Sequence, residues 1–69
     1  MSIRPNPASG FLFFENVQAG EGVVVYDLFG KKVLDARISG NGSINVNHLT
    51  NGVYMISVEG YAVRKFIKI

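Results

Sequence analysis

The sequence predicts an all-β domain: an antiparallel β-sandwich of immunoglobulin-like outline, built from about seven short strands. Three observations predict it. Turn chemistry recurs roughly every ten residues, and no stretch longer than about ten residues repeats at the helical period. Eight glycines in 69 residues that are 48% hydrophobic give the same profile of short strands and tight turns. Strand count leaves a small closed barrel open as well.

Ile3 to Ala8 carries Pro5 and Pro7 around Asn6, so it lacks two backbone donors and belongs at a sheet edge. Ser9-Gly10 turns it. Phe11 to Phe14 reads as a strand with Phe11 and Phe13 on one face and Leu12 and Phe14 on the other. Glu15 to Gly22 is polar and glycine-containing, a crossing loop between sheets that is long for so small a domain.

Val23 to Leu34 forms the centre, two apolar runs folded back about a turn. Asp27 suits the first position of a type I turn, and Gly30 the left-handed position that follows, giving a hairpin with a glycine bulge. With Asp27 opposite Lys31, Val25 faces Val33 and Val24 faces Leu34. Both surfaces of the ribbon then carry branched apolar side chains. Such a ribbon needs a central place in the sandwich, or a partner on one face.

The strand from Lys31 runs to about Ile38 and is closed by Ser39-Gly40-Asn41-Gly42. Ser43 to Val46 follows, with Ile44 and Val46 sharing a face. Asn47 to Gly52 is rich in turn residues and pins Leu49 inward. Val53 to Val58 alternates, with Tyr54, Ile56 and Val58 on one side. Gly60 fits a two-residue turn with Tyr61 or with Glu59, and either register puts Val63 and Lys65 on the Tyr54 side. The last strand, Ala62 to Ile69, therefore turns Val63, Ile67 and Ile69 inward. Arg64, Phe66 and Lys68 point outward as an interaction strip, and Lys65 buries its stem with its ammonium at the rim.

Composition sets bounds on function. The chain is one small domain with a net charge of +2 and no cysteine, which removes disulfides and thiolate metal sites. A chain of this size buries only about 60% of its unfolded surface, so its stability margin is thin. The longest apolar run, Phe11 to Phe14, is too short for a membrane-spanning helix, and the first residues lack the core of a signal peptide. Met1 and Ser2 read as a translation or expression start.

Candidate chemistry is sparse. His48, the only histidine, sits on a polar loop and reads as solvated. Asp27 is occupied by its turn, and the spacing of Asp35, Glu15 and Glu21 sets no carboxylate pair across a cleft. Asn41, Asn45, Asn47 and Asn51 lack the neighbouring carboxylates that calcium requires. Asn41-Gly42-Ser43 also matches a glycosylation acceptor, relevant only in a eukaryotic secretory pathway. Arg64, Lys65 and Lys68, interleaved with Tyr61 and Phe66, have the residue types of a single-strand nucleic-acid surface. That alternation is equally what an amphipathic edge strand shows, and no nucleic-acid partner is expected. No nucleophile and base arrangement marks an enzyme, and no cofactor is expected.

Four landmarks, taken in order, resemble the type A C-terminal sorting domain of the type IX secretion system of Gram-negative bacteria. They are Pro5-Asn6-Pro7 with Ala8; Val25-Tyr26-Asp27 with Gly30 and Val33; Leu49 with Gly52-Val53-Tyr54; and Lys65-Phe66-Ile67-Lys68-Ile69. The resemblance runs from Arg4 to Ile69 and rests on order and spacing. It implies a seven-stranded sandwich, residues 3–69, at the C-terminus of a larger exported protein whose passenger precedes it. It further implies that the passenger passes through the periplasm and that the outer-membrane machinery recognises the folded domain. A surface sortase then removes the domain, and the passenger is joined to anionic lipopolysaccharide or released.

Carried over position by position, Pro5, Asn6, Pro7, Tyr26, Asp27, Gly30, Leu49, Gly52 and Tyr54 hold the fold. Arg64, Lys65, Phe66 and Lys68 are the recognition residues. The Phe11 to Phe14 stretch is more aromatic than the family pattern, which suits extra packing or self-association. A second reading is an accessory adhesion or carbohydrate-binding sandwich of a secreted hydrolase, with Phe11, Phe13 and Tyr61 as its aromatic platform.

Overall fold

The computed structural model describes residues 1–5 and 7–69, so the expectation for Asn6 lies outside the described residues. Among them are seven strands and no helix: β1 Ser2–Arg4, β2 Phe11–Glu15, β3 Gly22–Tyr26, β4 Lys32–Arg37, β5 Ser43–Asn45, β6 Gly52–Val58 and β7 Arg64–Lys68. They form a three-stranded sheet, β1-β2-β5, and a four-stranded sheet, β4-β3-β6-β7. Every ladder is antiparallel. The sheets pack together as a small β-sandwich, the fold class that the turn spacing predicts.

Alternation builds the core. Leu12, Phe14 and Ile44 meet Val23, Val25, Tyr54, Ile56, Val58 and Phe66 from the opposite sheet, while Phe11 and Phe13 face outward. Val46 and Leu49 join the core, Leu49 buried as expected. The segment Asn16 to Glu21 crosses between the sheets. Gly20 N–H donates to the Ile38 carbonyl at 2.8 Å, and Arg37 Nη1 donates to the Gly20 carbonyl at 2.9 Å, which fastens that loop to the end of β4.

The central hairpin turns as its residues dictate. Gly30 N–H donates to the Asp27 carbonyl at 3.1 Å and Asp27 N–H to the Lys31 carbonyl at 2.9 Å, with Gly30 at φ 82°. β3 lies between β4 and β6, while β4 is an edge strand, so only one strand of the ribbon is central in its sheet. The register of the ribbon needs correction. A bulge at Val33 shifts the ladder, so that Tyr26 pairs with Lys32 but Val25 pairs with Leu34 and Val24 with Asp35. The outer surface of the ribbon thus sets Val24 beside Asp35 and Ser57, and is less apolar than a bulge-free pairing makes it.

The last strand is also corrected. The turn centred on Glu59 and Gly60 forms, with Tyr61 N–H donating to the Val58 carbonyl at 3.0 Å and Gly60 at φ 84°. The ladder then resumes with Ile56 opposite Arg64, leaving seven residues, 57–63, between these partners. That is one residue more than the turn alone requires, and a one-residue slip exchanges the two faces of a strand. Phe66 and Lys68 point inward, while Lys65 and Ile67 point outward. The lysine with the buried stem is Lys68, not Lys65. Val63 and Ile69, expected inside, are exposed.

The N-terminal segment serves both sheets. β1 is an edge strand on β2, and Ala8 then makes a parallel bridge with Lys68. Ala8 N–H donates to the Ile67 carbonyl and Ile69 N–H to the Ala8 carbonyl, each at 2.8 Å. Ala8 therefore lies along the edge of β7, where unpaired backbone invites association.

Candidate recognition surface

The edge strands β1 and β7 lie on the same side of the sandwich and leave a groove between the sheets. Met1, Ser2, Ile3, Arg64, Lys65 and Phe66 line it, and its volume is about 310 Å³. Arg64 reaches across, Nη2 donating to the Met1 carbonyl at 3.5 Å. Phe66 is only 1% exposed and offers the groove little beyond a wall. Its ring stacks on Tyr54, and the Tyr54 hydroxyl donates to the Thr50 carbonyl at 2.7 Å.

The four residues expected to carry recognition are thus divided. Arg64 and Lys65 stand exposed at the rim of the groove. Phe66 and Lys68 are interior, and Lys68 Nζ donates to the Ile69 carbonyl at 3.1 Å. β7 contributes two exposed cations, Arg64 and Lys65, and no acid to this edge. Beside Lys65, the outer face of the four-stranded sheet continues through Ile67, which is 40% exposed, to its partner Val53 and on to Met55 and Tyr26. Ile67 as an outward residue was hidden from sequence reasoning because the face of β7 depends on the length of the β6–β7 connection.

The fold residues have visible jobs. Asp27 and Gly30 make the hairpin turn, Tyr54 ties β6 to Thr50 and Phe66, Leu49 plugs the core, and Gly52 pairs with Lys68. Tyr26 pairs with Met55 on β6. Pro5 joins Arg4 and Phe13 around a second, shallow hollow of about 370 Å³ on the three-stranded sheet. Pro7 is exposed beside Ala8.

The aromatic platform of the second reading does not assemble as a flat surface. Phe11 and Phe13 are neighbours, with centroids 6.4 Å apart but planes inclined at 39°. Tyr61 is exposed, with its hydroxyl donating to the Asn16 carbonyl at 3.2 Å. His48 is exposed on its loop. Among the described residues no three His, Cys, Asp or Glu side chains gather where a metal ion could be held. Among the described residues no helix is long and apolar enough to cross a membrane.

Comparison with known families returns one described as the secretion system C-terminal sorting domain, matched over residues 2–69. Comparison with curated proteins returned no match. The family is one of sorting signals, not of catalysts, and its match spans the sandwich from β1 to β7. The chain therefore belongs to the C-terminal sorting domains of the type IX secretion system.

Proposed function

We propose that this domain is the address of a larger exported protein and performs no reaction itself. A passenger attached on its N-terminal side reaches the periplasm, and the secretion machinery reads the folded domain and passes both across the outer membrane. A surface sortase then removes the domain, and the passenger is attached to the surface or released. The family match across the whole sandwich is the observation that carries this reading.

Within that function, Arg64 and Lys65 touch the machinery, because both are exposed residues that line the β1–β7 groove. Phe66 and Lys68 act one step back, by holding β7 in register. Recognition uses side chains here, since Ala8 occupies the Ile67 carbonyl and the Ile69 N–H of this edge.

Competition tests the proposal. The isolated domain, directed to the periplasm of a type IX-competent host, is expected to reduce release of a resident cargo in proportion to its abundance. Undiminished release in the presence of an excess of folded domain contradicts it.

A further inference from the structure

The tip of the β3–β4 hairpin is the most exposed apolar feature among the described residues, with Phe29 96% exposed and Leu28 66%. The turn does not ask for either side chain. Asp27 Oδ1 accepts from the backbone N–H groups of Phe29 and Lys31, each at 2.9 Å, and Gly30 supplies the left-handed position. Polar residues at the two central positions suit a solvated turn better. The same chain supplies the comparison. At Ser39 to Gly42, Gly42 N–H donates to the Ser39 carbonyl at 2.9 Å with Gly42 at φ 81°, as Gly30 does to Asp27, yet the central residues there are Gly40 and Asn41. Leu28 and Phe29 are thus apolar surface beyond what the turn needs.

We infer that Leu28 and Phe29 form a docking knob that enters an apolar pocket on a protein of the secretion machinery. The identity of the partner rests on the sorting reading above. Two observations favour a protein pocket. The turn is already held by four hydrogen bonds, those of Gly30 to the Asp27 carbonyl, Asp27 to the Lys31 carbonyl, and Phe29 and Lys31 to Asp27 Oδ1. Little backbone freedom is therefore lost on binding, and a pre-ordered aromatic anchor is what an interface hot spot requires.

Charge is the second observation. Lys31 and Lys32 are balanced by Asp27 and Asp35, and Lys32 Nζ stands 3.3 Å from Asp35 Oδ2. An anionic lipid surface selects apolar side chains beside unbalanced cations, which this tip does not offer. A second copy of the chain fits less well. A knob entering a different surface of an identical chain makes an open-ended contact.

The test is export of a periplasmic reporter fused to the domain, comparing wild type with the double variant Leu28→Ser/Phe29→Ser. Asp27, Gly30 and the core are untouched, and an unchanged melting temperature of the purified domain verifies folding. Loss of one hot-spot contact predicts a fall in export of about tenfold or more. Full export of the folded variant overturns the inference. Wild-type domain that sediments with vesicles of phosphatidylglycerol and phosphatidylcholine, when the variant does not, overturns it in favour of a lipid surface. Concentration-dependent self-association lost in the variant overturns it in favour of a second copy. Should the double variant unfold, Phe29→Ser alone is measured in its place, with the same two outcomes. Retention of the wild-type fusion in the periplasm is the separate failure, that of the sorting reading, and removes the partner named here.

Discussion

Tyr54 and Phe66 lie opposite each other on the β6–β7 ladder, ring centroids 5.5 Å apart and planes 24° from parallel. Both are buried, and the Tyr54 hydroxyl is anchored on the Thr50 carbonyl at 2.7 Å. This pair packs the inward face of the last strand. Lys65 and Ile67 lie outside, and Phe66 and Lys68 inside.

Removing the ring of Phe66 is expected to unfold much of the population. Phe66→Ala forfeits about 3–5 kcal/mol by the usual cost of truncating a buried aromatic, a large share of what a small domain has. Tyr54→Phe keeps the stack and loses the hydroxyl's two hydrogen bonds, to the Thr50 carbonyl and to Thr50 Oγ1, at about 1–2 kcal/mol. Urea denaturation measures both. Equal effects from the two variants contradict the assignment of the stack as the anchor.

Gly30→Val tests the hairpin turn. At φ 82° any added Cβ is strained, although nothing lies within 4 Å of it. The expected loss is about 1–3 kcal/mol from the backbone alone. Asp27→Ala removes the acceptor of two backbone N–H groups and is expected to cost about 1 kcal/mol. An unchanged melting temperature in both variants contradicts the turn geometry.

That turn was legible from sequence because its chemistry is local: an acidic acceptor followed three residues later by a glycine makes its own geometry. The division of β2 and β6 into two faces was legible for the same reason, since period-two alternation is read without knowing the partner strand. The face of β7 was not. It depends on whether the connection after Val58 holds an odd or an even number of residues, and Ala62 and Val63 carry no signal that settles this. The bulge at Val33 was hidden likewise, being fixed by the pairing partner β3 and not by its own residue type. The β1–β7 groove and the bridge from Ala8 to Lys68 arise from sheet stacking between the two ends of the chain.

Lys65 and Lys68 separate reading from folding. Lys68→Ala is expected to lower stability by about 1 kcal/mol, because its stem is packed inside. Arg64→Ala/Lys65→Ala is expected to leave the melting temperature unchanged and to reduce export of a fused reporter. Full export by the folded double variant contradicts the assignment of those two head groups.

Ala8→Pro tests the protected edge. It deletes the N–H that reaches the Ile67 carbonyl, at an expected cost of about 1–3 kcal/mol. The freed margin of β7 is then expected to promote association, which sedimentation velocity detects. A variant that remains both stable and monomeric contradicts the view that this segment guards the strand.

The account stands on the domain's being a folded address. The most direct measurement is the fraction of a periplasmic reporter carrying residues 2–69 at its C-terminus that appears outside the cell, in a type IX-competent strain and in one lacking the machinery. The account predicts external reporter in the first strain and periplasmic reporter in the second. Equal distributions in the two strains, with the domain folded, contradict it.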